Sequence, residues 1–129
     1  MATGLPAATG DVLTAATFNG LITFTVGAAN TADYTAVLAD QYQVLQLMNK
    51  ATAVAFKIPT DASVAFPVGT AITVLNIGAG VLTISAVTPG TTTVLSAGAV
   101  PASPTLTQYK SAVCIKTAAN NWIVVGAIG

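Results

Sequence analysis

Between Ala51 and Val87 the chain reads ATAVAFKIPTDASVAFPVGTAITVLNIGAGVLTISAV, a stretch written for strands. Val54, Phe56 and Ile58 alternate with Ala53, Ala55 and Lys57. That period of two belongs to a strand with one buried face. Pro59-Thr60-Asp61 turns the chain, Val64 to Phe66 is a short extended piece, and Pro67-Val68-Gly69-Thr70 turns it again. Ala71 to Ile77 and Val81 to Val87 read as two more strands, separated by Gly78-Ala79-Gly80. Val, Ile, Thr and Phe punctuated by Pro and Gly predict a β-meander, with Gly-Ala-Gly as a tight hairpin loop whose glycines supply positive φ.

The flanks continue the pattern. Residues 1–12 read as an irregular arm of small residues. Thr14 suits a helix N-cap, with Leu13 placed to staple onto Phe18 and with Phe18, Leu21 and Ile22 on one helical face. That short helix either packs over the end of a sheet or forms an arm that docks onto another subunit, through Leu13, Phe18 and Leu21. Strands are expected at Ile22 to Val26, Tyr34 to Leu38 (extended), Tyr42 to Met48 with Leu45 and Leu47 inward, Thr92 to Leu95, Ser111 to Thr117 and Trp122 to Val125. Ala39-Asp40-Gln41 and Ala118 to Asn121 read as turns, Ser96 to Pro104 as a loop, and Leu106 to Tyr109 as an edge segment. About nine short strands with turns every eight to twelve residues predict an all-β domain, an antiparallel β-sandwich or barrel-like fold of jelly-roll type. The division is an N-terminal arm and short helix over 1–22 and a β domain over 23–129.

Charge narrows the function classes. Of 129 residues, 53% are hydrophobic and only 6% charged, where roughly a quarter is usual. The charged residues are four Asp and four Lys, with no Arg, Glu or His. Four scattered lysines cannot supply the clustered cations that phosphates require, so no nucleic-acid partner is expected. A membrane-spanning helix needs about 20 consecutive apolar residues, which the chain lacks, and MATGLPAATGD has no basic n-region or apolar h-region. No membrane partner is expected. Cys114 is the single cysteine, so no intrachain disulfide forms.

Several strands are apolar on both faces. Ile72 and Val74 oppose Leu75 and Ile77, and Ile123 and Val125 oppose Trp122 and Val124. Antiparallel sheets ordinarily leave one face wet. Two-sided apolar strands in so small a domain predict a homo-oligomer whose second face is buried between subunits.

Site chemistry is sparse. Without His there is no His-based triad and no imidazole ligand, and one Cys cannot build a structural zinc site. Asp11, Asp33, Asp40 and Asp61 each sit beside a turn or strand end, where capping is the expected role. The Gly-rich turns lack a following Lys and helix, so they make no phosphate cradle. No catalytic, cofactor-binding or metal residue is expected, and the chain reads as a non-enzyme. Cys114 reads as a buried, inert thiol. Trp122, Tyr34, Tyr42 and Tyr109 either pack in the core, with the indole N–H bonded, or offer an aromatic surface. Lys50, Lys57, Lys110 and Lys116 are expected to face solvent or a partner's acidic groups.

The order of these segments resembles a β-domain of tailed-bacteriophage virion structural proteins. The resemblance lies in Tyr34 to Asp40, Met48-Asn49, Val54 to Pro59, Ser63 to Val74, Gly78 to Ile84 and Asn120 to Gly126. Its marks are Phe66, Pro67 and Gly69 in the Phe-Pro-Val-Gly-Thr turn and Trp122 in the closing strand. Gly10 to Ala16 is similar to the opening of phage fibre and minor structural proteins. The resemblance implies a virion protein with no catalytic position and no cofactor. A chain that starts at its own Met1 and ends just after the module suits a capsid decoration or cement subunit on the capsid surface. The implied partners are the major capsid protein and further copies of the chain, with a homotrimer fitting a local three-fold axis. The alternative is a tail fibre or tail appendage that binds a host receptor or glycan.

Overall fold

The computed structural model describes residue 15, residues 23–98 and residues 102–128. Leu13, Phe18 and Leu21, with the expected arm and all of the expected helix but Ala15, lie outside the described residues. Ten strands are described: β1 (Thr25–Val26), β2 (Tyr34–Thr35), β3 (Val44–Met48), β4 (Val54–Ile58), β5 (Ala71–Asn76), β6 (Leu82–Ala86), β7 (Thr93–Leu95), β8 (Thr105–Leu106), β9 (Ser111–Ala118) and β10 (Asn121–Gly126). A 3₁₀ helix, Leu38–Gln41, stands where a turn was expected between β2 and β3. Val64 to Phe66, expected to be extended, joins neither sheet. The fold is all-β.

The strands form two mixed sheets, ordered β1-β3-β5-β9-β10-β7 and β2-β4-β6-β8. Up to β6, successive strands alternate between the sheets. Each pairs in parallel with the strand two positions along: β1 with β3, β3 with β5, β2 with β4 and β4 with β6. The first half of the chain therefore winds as a stack of coils, and the expected antiparallel meander does not form. Antiparallel pairing enters only at the far end, where β8 joins β6, β9 joins β5 and β10 joins β9. β7 then adds to β10 in parallel.

The turn chemistry explains the correction. Neither Gly78 nor Gly80 has a positive φ, so the loop is not the expected hairpin. It crosses from one sheet to the other and lies directly on the turn of the coil before it. Ile77 N–H donates to Met48 O (2.8 Å), Gly80 N–H to Lys50 O (2.9 Å), and Asn49 N–H to Asn30 O (2.8 Å). A Cβ on Gly80 would run into the Thr52 carbonyl, and one on Gly78 into the Lys50 backbone. Glycine is required here for close approach of two backbones. Asn76, fully buried, fastens the same corner: its Nδ2 donates to Gly80 O and Leu106 O, and its Oδ1 accepts from Gly78 N–H.

One buried cluster receives both sheets. Val54, Phe56, Ile58, Leu82 and Ile84 enter from the second sheet, and Ile72, Val74, Cys114, Trp122 and Val124 from the first. Each such side chain contributes roughly 1.5–3 kcal/mol by leaving water. β4 buries alternate residues, as its period of two requires. β3 reverses the expected facing: Gln46 and Met48 are buried, while Leu45 and Leu47 keep solvent exposure.

Candidate interaction surface

Phe66, Pro67, Gly69 and Trp122 come together around Lys116. Phe66 packs edge-on against Trp122, with ring centroids 5.5 Å apart. Thr70 closes the turn by donating its N–H and hydroxyl to Pro67 O, and Gly69, at φ +95°, donates its N–H to Lys116 O. Lys116 is 3% exposed. Its Nζ donates to Asp61 Oδ1 (2.8 Å) and to Phe66 O (2.6 Å). Asp61 Oδ2 accepts from Asn120 N–H, and Asn120 Oδ1 from Asp61 N–H. The Lys116 ammonium, as hydrogen-bond donor, holds the Asp61 carboxyl below its ordinary range. Lys116 therefore does not face solvent or a partner: it bonds one loop to β9 from within. The Trp122 indole is buried, as core packing requires, but among the described residues its N–H has no hydrogen-bond partner, and neither does the buried Thr92 hydroxyl.

A second polar cluster organises the first coil. Asp40, 2% exposed, accepts from Tyr34 Oη (2.8 Å) and Val37 N–H (3.0 Å) at Oδ2, and from Gln46 Nε2 (2.7 Å) at Oδ1. Asn30 Nδ2 donates to Gln46 Oε1. The cluster caps the 3₁₀ helix, as a cap role for Asp40 anticipates, and it explains why Gln46 rather than Leu45 points inward. Burial, with Asp40 alongside, pushes the Tyr34 hydroxyl above its ordinary range. Tyr34 also stacks on Phe56 at 5.8 Å, whereas Tyr42 and Tyr109 are exposed. Cys114 is fully buried, and burial pushes its thiol up to about 12, so the thiolate that would react is suppressed. Asp33 accepts from Ala55 N–H and lies 3.9 Å from Lys57 Nζ.

The two sheets differ sharply on their outer faces. On the second sheet the outward rows are Thr35, Lys57 and Ser85, then Ala55, Thr83 and Thr105. These are polar or small. On the first sheet one row runs Val26, Leu45, Thr73, Val113 and Val125. A second is Leu47, Leu75 and Ser111, and a third Ala71, Ile115, Ile123 and Leu95; beyond these three, the outward pair Asn121 and Thr93 is polar. No ionisable side chain stands in these three rows, and every residue in them keeps some solvent exposure. Val26 is 61% exposed and Val125 44%. Two-sided apolarity, read from β5 and β10, is thus a property of the first sheet alone. The sequence reading missed the inward Gln46 and Lys116. Parity supplied a signal, since Lys116 shares its face with Cys114 and Ala112.

Among the described residues no three His, Cys, Asp or Glu side chains gather where they would hold a metal ion. No protein-family model, curated protein or solved structure matches the chain.

Proposed function

We propose that this chain is a structural protein of a tailed-bacteriophage virion, a decoration or cement subunit that binds the major capsid protein and stabilises the shell as a homo-oligomer. It works on the capsid surface, without catalysis or a cofactor. Its two sheets pack as a sandwich, with the outer face of the first sheet turned to protein and that of the second to solvent. The observation that carries this reading is the contrast between those faces. An apolar face without charge is a liability on a free protein and an asset on a subunit that stays bound.

Cementing predicts that heads lacking the protein burst at a lower temperature than complete heads, and that adding purified protein restores the difference. Heads equally stable with and without it would refute the reading. The second reading, a tail appendage that binds a receptor or glycan, is favoured by Tyr109. It is 75% exposed and held outward at φ +65° by a turn whose Tyr109 N–H donates to Asn76 O. That reading predicts binding of purified protein to host cells, lost in Tyr109→Ala.

A further inference from the structure

We infer that the first coil, residues 23–43, is a strap that opens as a unit while the rest of the fold stays closed, with the buried Asp40 carboxylate as its latch.

The coil is held by polar groups more than by apolar burial. Among residues 23–43, all of them described, two side chains are buried, those of Ala36 and Asp40. Tyr34 is half-buried, stacked on Phe56. Phe24, Val26, Val37, Leu38 and Tyr42 are exposed. β4, by contrast, buries Val54, Phe56 and Ile58 within five residues. Backbone pairing is equally thin: β1 and β2 have two residues each, and Asn30 adds a single bridge to Met48. A segment that buries so little apolar surface lies at the low end of the range of local opening free energies.

Asp40 ties the coil to the next one. Its carboxylate accepts from Tyr34 Oη on β2, from Val37 N–H at the start of the 3₁₀ helix, and from Gln46 Nε2 on β3. Gln46 also donates to Tyr34 Oη and accepts from Asn30 Nδ2. Losing the carboxylate leaves all three of its donors without that acceptor, so the coil is released as one piece.

Opening has a defined consequence. Asn30 N–H donates to Leu47 O on β3, and Ala36 N–H to Lys57 O on β4. The coil thus covers one edge of each parallel stack, and its release bares the backbone groups of β3 and β4. Bared strand edges are ready to pair anew, which makes the strap a cover over two pairing edges.

Native-state hydrogen exchange in rising urea tests this. The amides of Thr25, Asn30 and Ala36 are expected to share one opening with a shallow urea dependence. They should exchange at least about tenfold faster than those of Val54, Asn76 and Lys116, which donate to Val81 O, Lys110 O and Thr70 O and follow the steep dependence of global unfolding. Asp40→Ala is expected to speed the three coil amides about tenfold or more. Asp61→Ala, which breaks the Lys116 pair, is expected to speed Val54, Asn76 and Lys116 at least about tenfold and to leave the coil amides unchanged, because the strap opens with that pair intact. Should either alanine variant fail to fold, Tyr34→Phe and Asp61→Asn carry the same comparison, and the urea slopes of the wild type need no variant. One steep slope shared by all six amides, three unrelated rates within the coil, or coil amides sped by Asp61→Ala as much as the core would overturn the inference.

Discussion

Removing the Asp61 carboxylate tests the account of the fold's polar knot. Lys116 is 3% exposed and its ammonium has two hydrogen-bond acceptors, Asp61 Oδ1 and Phe66 O. In Asp61→Ala that ammonium stays buried with only the carbonyl left. Breaking a buried pair from one side costs about 3–5 kcal/mol. The Asp61 side chain is 26% exposed, so water replaces part of the loss and about 2–4 kcal/mol is expected. For a chain of 129 residues that lowers the melting temperature by roughly 6–16 °C. Lys116→Met leaves a carboxylate that water can reach, so its cost is expected to be lower, about 1–3 kcal/mol. Urea unfolding followed by the fluorescence of Trp122, the single tryptophan and a neighbour of Phe66, reports directly on this region. The pH dependence has a fixed sign. Asp61 is held below its ordinary 3.8 by the Lys116 hydrogen bond, so its contribution is complete above that value and fades as pH falls through the lower folded one. The stability gap between wild type and Asp61→Asn should be flat above about pH 5 and close toward lower pH. A loss under about 1 kcal/mol in Asp61→Ala, or a gap that widens in acid, would refute the reasoning.

Two further substitutions probe the coil stacking and the core. Gly80→Ala drives a Cβ into the Thr52 carbonyl and is expected to cost about 1–3 kcal/mol or more by thermal melt, whereas Gly90→Ala, with nothing within 4 Å of its Cβ, should be near neutral. Thr92→Val replaces a buried hydroxyl that has no partner among the described residues by a methyl of the same shape, so stability should hold or rise by about 1 kcal/mol; a loss of that size would show that the hydroxyl is bonded.

Strand positions were legible because side-chain period is a local property. Val54 to Ile58 and the β9–β10 hairpin with its turn at Ala118 to Asn121 fall where the alternation places them. Pairing was not legible, because Gly-Ala-Gly serves a hairpin or a crossover equally well. What distinguishes them is the Lys50–Thr52 backbone lying against it, a contact between residues nearly thirty apart. Facing was half legible. In YQVLQLM the leucines look like the inward set, yet Gln46 is drawn in by Asp40 and Asn30. In SAVCIKT the inward set contains a lysine because Asp61, far off in sequence, meets it. Polar residues whose partners are distant are the positions where hydrophobic pattern misassigns a strand's face. The candidate surface was legible as two-sided apolarity, and which sheet carried it was not.

The central claim, a shell-bound subunit that turns its first sheet to protein, is tested most directly by electron cryo-microscopy of whole virions. The account predicts the chain on the outer capsid surface, with Leu75, Val113 and Ile123 buried in a protein contact and Thr83 and Lys57 facing solvent. Density confined to the tail, or a shell-bound copy with Leu75 and Val113 open to solvent, would contradict it.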